Sequence, residues 1–200
     1  YETFGQDAII ASQVLGITLT KRNNGAASSS ELAGFPHHAL DTYLHKLVKA
    51  GHRVAICDQL EDPKLAKGIV KRGVTEMVTP GVATNEKLLE HNTNNFLAGI
   101  QVTDEKFGLA LLDISTGEFF IAEGNQEYID KLLQTLKPSE VIFQRSFHKF
   151  FKESFGDKFY TYHLESWIFE EGYATEILLK HFQTHSLKGF GIEDMHQAII

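Results

Sequence analysis

The sequence predicts an α/β protein of two small domains, each built around a mixed sheet. Helix-like and strand-like segments alternate through the first half, whereas the second half opens with three strand-like segments in succession. Charge divides at the same place, because residues 1–82 carry nine Lys/Arg against eight Asp/Glu and residues 83–200 carry ten against eighteen. A near-neutral half joined to an acidic half favours two domains with different partners.

The first half begins with a predicted helix in "FGQDAIIASQVLG", which Gly16 is placed to end in a left-handed conformation. A short strand, "ITLT", precedes Lys21 and Arg22, and the polar run 23–30 is predicted to be a loop. The clearest helix is "HHALDTYLHKLVKAG", whose apolar side chains recur at helical spacing and which Gly51 ends. "RVAIC" and "VTEMVTPG" are then predicted strands.

The polar stretch 83–95 has no strong periodicity and is predicted to link a domain at 1–82 to a domain at 96–200. The second domain opens with "FLAGIQV", "FGLALLDI" and "EFFIAE", which short turns join into an antiparallel meander. Beyond them helices are predicted at 126–136, 147–153 and 166–182, and strands at 141–143 and 160–163. A meander followed by alternating helices and strands predicts a mixed sheet.

Composition limits the class of protein. The chain is 42% hydrophobic, enough for one large core or two small ones, but no apolar run approaches the roughly 18 residues that span a bilayer, so a soluble protein is expected. A single cysteine, Cys57, excludes an internal disulfide and fits a reducing cytoplasm. Its apolar surroundings in "RVAIC" predict a buried, unreactive thiol. The net charge of −7 argues against a free-standing nucleic-acid binder.

Several uncommon strings occur together in the first half: "LGITLTKR", "AGFPHHA", "YLHKLVKAGHRVAICDQLEDP" and "VTPG". In this order and spacing they resemble the N-terminal mismatch-recognition domain of the MutS family of DNA mismatch repair proteins. "LLDISTGEFF" is similar to the start of the family's connector domain, for which the resemblance implies an RNase H-like fold. The resemblance covers essentially the whole chain, which is therefore expected to be an N-terminal fragment of a longer protein.

The resemblance implies a DNA-reading motif at the start of the chain. Tyr1 and Glu2 fit the last two positions of the family's Phe-x-Glu motif, so the Phe is expected immediately before Tyr1. In the family this Phe enters the minor groove and stacks on a mispaired base, which is easier to unstack and kink than regular duplex. Glu2 is expected to hydrogen-bond that base. The alternative is that Glu2 only caps the helix that begins near Phe4.

Further DNA-binding residues are predicted with the motif. Lys21 and Arg22 end a strand beside a flexible loop, a suitable position for phosphate contacts. Arg72 matches a basic position that the family uses near DNA, and Leu32 stands where relatives often have Met beside the groove. Phe4 is interpreted as packing. The chain departs from the family pattern at two positions. His37 stands where an aromatic residue is common, and Glu76 stands where a basic residue is common, so no DNA role is assigned to Glu76.

The resemblance also implies partners outside the fragment. These are mismatched double-stranded DNA, the rest of the MutS chain, a second subunit in the complete protein, and the partner protein MutL, contacted by the connector. ATP and Mg²⁺ are expected in a C-terminal ATPase domain; the present sequence has no G-x-x-x-x-G-K-[ST] loop, and no cofactor or catalysis is assigned to it. The fragment is expected to be a monomer from the bacterial cytoplasm, associated with the nucleoid.

Three alternatives stay open. An RNase H-like half could be a nuclease, but such enzymes need several acids for two metal ions, and Asp113 stands alone and is better suited to the turn before "STG". The chain could instead be a non-catalytic interaction module of a relative that does not sense mismatches. His37, Asp41 and His45 have the spacing of zinc ligands on a helix, although solvated or capping histidines are the preferred interpretation and no metal is assigned.

Overall fold

The computed structural model describes residues 1–23, 29–66, 68–83, 93–103 and 106–200. Of these, the residues up to Pro80 form one compact unit and those from Gly81 onward form a second. The predicted linker at 83–95 lies mostly outside the described residues, so its limits and the domain boundaries stay predictions. Among the described residues, no helix combines the length and apolar character needed to cross a membrane.

The first unit contains a three-stranded antiparallel sheet in the order β1-β3-β2. Its strands are β1 (Glu2–Phe4), β2 (Thr20–Asn23) and β3 (Ser29–Gly34), and helix α1 (Gly5–Leu15) packs against β3. Gly16 ends α1 at φ 67°, so its predicted left-handed conformation is confirmed. The predicted strand "ITLT" begins only at Thr20 and continues through Lys21 and Arg22. Residues 24–28 of the predicted loop are outside the described residues.

The remainder of the first unit is a helix on a two-stranded antiparallel sheet. A short 3-10 helix leads into α2 (Leu40–Lys49), and the predicted apolar stripe is confirmed because Leu44, Leu47 and Val48 are buried. The sheet consists of β4 (Val54–Gln59) and β5 (Arg72–Val78).

The prediction of a buried Cys57 is wrong, because the thiol is exposed. Side chains alternate between the two faces of a strand, and in β4 the side chain that enters the core is that of Ile56, the residue before Cys57. The face that carries Cys57 is not covered by the described residues.

The second unit is organised around a five-stranded sheet in the order β10-β9-β6-β7-β8. Its strands are β6 (Leu97–Val102), β7 (Phe107–Asp113), β8 (Glu118–Gly124), β9 (Glu140–Gln144) and β10 (Thr161–Leu164). The first three form the predicted antiparallel meander, whereas β9 runs parallel to both β6 and β10. This mixed sheet confirms the predicted α/β class and has the strand order and directions expected of an RNase H-like domain.

Helices cover both faces of this sheet. On one face, α3 (Gln126–Leu136) and α4 (His148–Phe155) bury Ile129, Leu133, Phe151 and Phe155 in the main core. On the other face, α5 (Glu171–His181) and α6 (His196–Ile199) leave a mainly apolar cavity of about 230 Å³ over Leu97, Leu112 and Ile142. An added Cβ at Gly108 would lie only 2.0 Å from the Gln197 carbonyl oxygen, so α6 sits directly on the backbone of β7.

The predicted long helix at 166–182 is wrong in one respect, because the chain forms two helices there. A 3-10 helix spans Ser166–Phe169, Glu170 is extended at φ −106° and ψ 126°, and α5 starts at Glu171. All residues of α5 are described, and none of them is fully buried.

The buried carboxylate of Glu140 binds the segment before β6 to the sheet of the second unit. Glu140 at the start of β9 is fully buried and accepts a hydrogen bond from the Gly81 N–H at 3.1 Å. A side chain at position 81 would not fit, because an added Cβ would lie 2.8 Å from the Glu140 Cβ.

Candidate nucleic-acid interface

The three-stranded sheet of the first unit has one face packed and one face open. Residues paired across antiparallel strands point to the same face, and Phe4, Leu32 and Thr20 are paired in one row. By the same alternation, Glu2 with Gly34 and Arg22 with Ser30 belong to that face. The opposite face contains Ala33, which is 1% exposed, and is the face packed against α1. We call the first set, Glu2, Phe4, Thr20, Arg22, Ser30, Leu32 and Gly34, the open face.

An ion pair joins the two charged residues of the open face. The Arg22 guanidinium donates to Glu2 Oε2 at 3.3 Å, and the two side chains remain 54% and 52% exposed. At this exposure the pair contributes little to stability, because solvent screens it and both side chains lose rotamer freedom. Its groups are therefore free to exchange partners when a ligand arrives.

The alternative role of Glu2 as a helix cap is wrong. Phe4, not Glu2, is the residue that precedes α1, and its backbone is extended at φ −129° and ψ 155°. Glu2 lies in β1 with its carboxylate directed to Arg22.

Phe4 itself lies on the open face rather than in the core. Sequence reasoning placed it on the apolar side of the first helix, but it belongs to β1 and its ring is 46% exposed beside the half-buried Leu32. The prediction that Phe4 only packs is therefore wrong. The signal that could have revealed it is the two-residue spacing from Glu2, which puts both side chains on one face of an extended strand.

Gly34 keeps the strand pair close at the position opposite Glu2. An added Cβ at residue 34 would lie 2.9 Å from the Tyr1 carbonyl oxygen, which is backbone and has little room to yield. A glycine is therefore required where the first strand approaches β3.

Tyr1 points away from the open face. Its backbone extends the β1–β3 ladder, since its nitrogen donates to the Phe35 oxygen at 2.8 Å and the Phe35 N–H donates to its oxygen at 3.0 Å. Its hydroxyl donates to Asp58 Oδ1 at 2.6 Å, and its ring stacks on His37 with the ring centroids 5.4 Å apart. The ring also packs against the cluster of Leu44, Val48, Ile56 and Val78.

Asp58 is held by two hydroxyl donors. Besides Tyr1, the Thr75 hydroxyl donates to its second oxygen at 2.7 Å. The hydrogen bond from Tyr1, together with that from Thr75, lowers the pKa of Asp58 below its ordinary value. The same bond raises the pKa of the Tyr1 hydroxyl. Both groups therefore keep their bonding protonation states over a wide pH range.

The other predicted basic residues lie apart from the open face. Lys21 is paired with Glu31 and so alternates to the other side of the sheet, although it is exposed at the edge strand β2. Arg72 starts β5 in the second sheet, and its guanidinium donates to the Val70 oxygen at 3.2 Å. The structure thus brings together Glu2, Arg22 and Leu32 of the predicted site and places Tyr1, Lys21 and Arg72 elsewhere.

Asp113 in the second unit has the predicted turn role, which is confirmed. Its Oδ1 accepts from the Ser115 N–H at 2.9 Å and the Ser115 hydroxyl at 2.6 Å, and its Oδ2 accepts from the Asn95 N–H at 2.9 Å. Burial raises the pKa of Asp113, but these bonds and one from the Thr116 N–H together outweigh burial, so the pKa lies below its ordinary value. Both carboxylate oxygens are thus occupied by the fold.

No group of three or more His, Cys, Asp or Glu side chains within the described parts of the chain is arranged to hold a metal ion. His37, at the start of the spacing considered for zinc, lies in the 3-10 helix before α2.

Comparisons with known proteins agree with the two-unit architecture. Residues 1–87 match the family model described as MutS domain I, and residues 95–200 match the model described as MutS domain II. The chain is 60% identical over 200 residues to the DNA mismatch repair protein MutS of Flavobacterium johnsoniae, and 61% identical over 199 residues to that of Cytophaga hutchinsonii. The protein of the same name from Phocaeicola vulgatus is 58% identical over 200 residues.

Each alignment covers the whole chain but only 23% of the relative, so the chain spans about a quarter of the length of the curated proteins that it matches. Two domain matches and identities of this size over every residue leave one conclusion: the chain belongs to the MutS family and carries its domains I and II.

Proposed function

We propose that the first unit recognises mispaired or looped duplex DNA through the minor groove, and that the open face is the surface turned towards the duplex. The observation that supports this proposal is the gathering of an exposed ion pair, Glu2–Arg22, and an apolar pair, exposed Phe4 with half-buried Leu32, on one side of a sheet whose other side is packed. The unit matches MutS domain I, and the similar proteins are named DNA mismatch repair proteins.

The aromatic wedge is assigned to the residue immediately before Tyr1 in the complete protein, which we expect to be Phe. In an extended strand this residue would lie on the same side as Glu2 and Phe4, because side chains alternate with a period of two. A wedge there would unstack one base step at a cost of a few kcal/mol, offset by contacts with the bent duplex. A mispair bends more easily than paired duplex, so this surface selects for deformability rather than for one base sequence.

Glu2 and Arg22 then have complementary roles. Arg22 gives its guanidinium to a phosphate, and Glu2, released from the ion pair, accepts a hydrogen bond from the base on which the wedge stacks. A carboxylate near phosphates is repelled unless it finds such a donor, which a well-paired base does not offer. Leu32 adds an apolar contact on the open face. Lys21, exposed on the edge strand β2, and Arg72, at the start of β5, are assigned to phosphates that lie beyond that face.

The second unit is proposed to relay recognition to the rest of the protein. In this proposal the connector contacts MutL, while ATP and Mg²⁺ bind a C-terminal ATPase domain and a second subunit completes the DNA clamp. The fragment itself carries no catalysis and is a monomer. The second unit is negatively charged, with eighteen acidic against ten basic residues over 83–200, and this charge suits a protein partner better than phosphates.

The test is the affinity of the complete protein for a duplex with one G·T mispair and for the matched duplex. Wild type is expected to prefer the mispair, and Glu2→Gln is expected to reduce that preference, while Glu176→Gln on the connector serves as the control for loss of an exposed acid. An unchanged preference in Glu2→Gln, at every pH measured, contradicts the role of Glu2.

Salt dependence tests the basic residues separately. Removing one phosphate contact lowers the slope of log K against log salt by about 0.9. We expect this change in slope for Arg22→Gln with both matched and mispaired duplex. We expect no change for Lys188→Gln, which removes an exposed basic side chain of the connector. Equal slopes in Arg22→Gln and wild type contradict the phosphate contact.

The second candidate function is a protein-interaction module that does not sense mismatches. It is favoured by the acidic second half and by α5, whose described residues include exposed aromatics such as Tyr173 and none that is buried. Chemical-shift mapping of the chain with duplex and then with MutL separates the two functions. Responses confined to the second unit, with MutL alone, favour this candidate.

A further inference from the structure

We propose that Tyr1 is a positioning residue: it does not contact DNA, but ties the strand that carries Glu2 to the second sheet of the unit through Asp58. This inference rests on the proposed function of the open face. It concerns the predicted DNA-binding residue that directly precedes Glu2 and whose side chain points away from the open face.

The side chains of Tyr1 and Glu2 point to opposite sides of β1. Glu2 is paired with Gly34 on the open face, whereas the Tyr1 ring lies over Leu44, Val48, Ile56 and Val78 on the opposite side of the strand. The ring stacks on His37, with an interplanar angle of 19°. A side chain inserted into this core cannot at the same time reach a duplex that lies against the open face.

The Tyr1 hydroxyl forms the link to the second sheet. It bridges β1 to β4, since it donates to Asp58 Oδ1 at 2.6 Å across 57 positions of sequence. Asp58 is fixed in turn by the Thr75 hydroxyl of β5 at 2.7 Å, so the acceptor belongs to a paired sheet and not to a loop. A hydrogen bond to an ionised acceptor is stronger than one between neutral groups, which makes this bond a suitable anchor.

Strand β1 needs such an anchor because its sheet holds it only weakly. Strand β1 has only three residues, and it lies at the edge of its sheet with a single partner strand, β3. Functional side chains lose precision when the element that carries them is loosely held. Because Tyr1 is the residue directly before Glu2, fixing its side chain fixes the backbone from which the Glu2 carboxylate projects.

The experiment uses the complete protein and measures selectivity, defined as the dissociation constant for matched duplex divided by that for the G·T duplex. Tyr1→Phe keeps the ring and removes the bond, and Asp58→Ala removes the acceptor. We expect each to lower selectivity about tenfold, the size of one hydrogen bond to a charged group. The double variant is expected to lose no more than either single variant, because both remove the same bond.

Two variants show that the bond, rather than general damage, is responsible. Tyr43→Phe removes the hydroxyl of the neighbouring ring, which has no hydrogen-bond partner among the described residues, and is expected to keep wild-type selectivity. Asp58→Asn keeps an oxygen for the Tyr1 hydroxyl and an N–H for Thr75. It is expected to lower selectivity less than Asp58→Ala does, because the bond from Tyr1 is kept while its acceptor is no longer ionised. A loss equal to that of Asp58→Ala contradicts the role of the bond.

A readout without DNA separates this inference from the proposed function. In the free protein, Tyr1→Phe and Asp58→Ala are expected to speed hydrogen exchange of the Phe35 amide, which bonds to the Tyr1 oxygen at 3.0 Å. If wild type shows no selectivity, the proposed function fails while exchange still decides whether Tyr1 anchors the strand. Additive losses of selectivity in the double variant, or unchanged exchange in both single variants, overturn the positioning role.

Discussion

The two units use their acidic side chains in opposite ways. Glu2 is half-exposed on an open sheet face and shares one ion pair with Arg22. Asp113 is fully buried; the Ser115 N–H and hydroxyl of the following turn occupy one of its oxygens, and the Asn95 N–H occupies the other. The first carboxylate is available to a ligand, whereas the second is consumed by the fold.

This difference follows from how each sheet is covered. The five-stranded sheet has helices on both faces, so any acid within it must find donors inside the protein. Among the described residues, α1 covers one face of the three-stranded sheet and no helix covers the other, so that other face can hold polar groups in water until a partner arrives. An acid in a sheet therefore indicates a binding site only where the face that carries it is open.

The largest effect on the free energy of unfolding is expected from removing the buried carboxylate of Asp113. Asp113→Ala leaves the N–H groups of Asn95 and Ser115 without their acceptor, which should lower the free energy of unfolding by about 3 kcal/mol. Urea unfolding followed by the fluorescence of Trp167, the single tryptophan, reports on this unit. Glu176→Ala, which truncates an exposed acid, should change stability by less than about 0.5 kcal/mol. Equal effects of the two variants would contradict the structural role of Asp113.

The next largest effect on stability is expected where α6 covers the sheet of the second unit. Gly108→Ala places a methyl group where the Gln197 carbonyl lies, so α6 must move away from β7, at a cost of about 2 kcal/mol. Gly99→Ala in the adjacent strand is the matched control, because its nearest neighbour, Ile142 Cγ1, is 3.8 Å away. Thermal unfolding of the two variants compares them directly. A Gly108→Ala protein as stable as Gly99→Ala would show that α6 is not seated on the strand.

Acid should weaken both units, each through its own hydrogen-bonded acid. The pKa values of Asp58 and Asp113 are lowered by folding, so the unfolded chain binds more protons in acid. Their contributions to stability are fully present above about pH 4, the ordinary pKa of Asp, and are lost as pH falls through the folded pKa values. Urea unfolding between pH 7 and pH 3 measures this loss. Asp113→Asn should flatten the pH dependence of the second unit, and Tyr1→Phe that of the first.

The smallest effect is expected for the exposed pair. A double-mutant cycle with Glu2→Gln and Arg22→Gln should give a coupling in the free energy of unfolding below about 1 kcal/mol, because solvent screens half-exposed charges. The same cycle on DNA affinity should show a larger coupling if both groups change partners on binding. A strong coupling in stability alone would assign the pair to the fold.

Most of the second unit could be predicted from sequence because its signals are local. The predicted helix at 126–136 is also the observed helix α3, Gln126–Leu136; in the structure the Asn125 side chain caps it by accepting from the Tyr128 N–H. The turn at Asp113 was also readable, since Ser115 follows at the spacing of an Asx turn.

The errors arose where tertiary covering decides the outcome. Cys57 lies in an apolar run, and it is exposed because no layer among the described residues covers its face of β4. Phe4 was assigned to a helix face, whereas it lies in β1 on a face that the described residues leave open. The break at Glu170 is similar, because local helix propensity continues through it.

The candidate site was predictable in its members but not in its arrangement. The family strings pointed to Glu2, Arg22 and Leu32, which share the open face. The bond between Tyr1 and Asp58 spans 57 positions, and no local pattern encodes such a pairing. Lys21 was indistinguishable from Arg22 in sequence, yet strand alternation puts it on the other side of the sheet.

The exposed thiol of Cys57 also has a practical use. It is the single cysteine of these 200 residues and the neighbour of Asp58 on β4, with its side chain on the opposite face of the strand from the core. A maleimide dye or spin label attached there would report on the strand that anchors Tyr1 without touching the anchor itself. These 200 residues thus offer a single-label spectroscopic probe of the first unit, with no engineered cysteine.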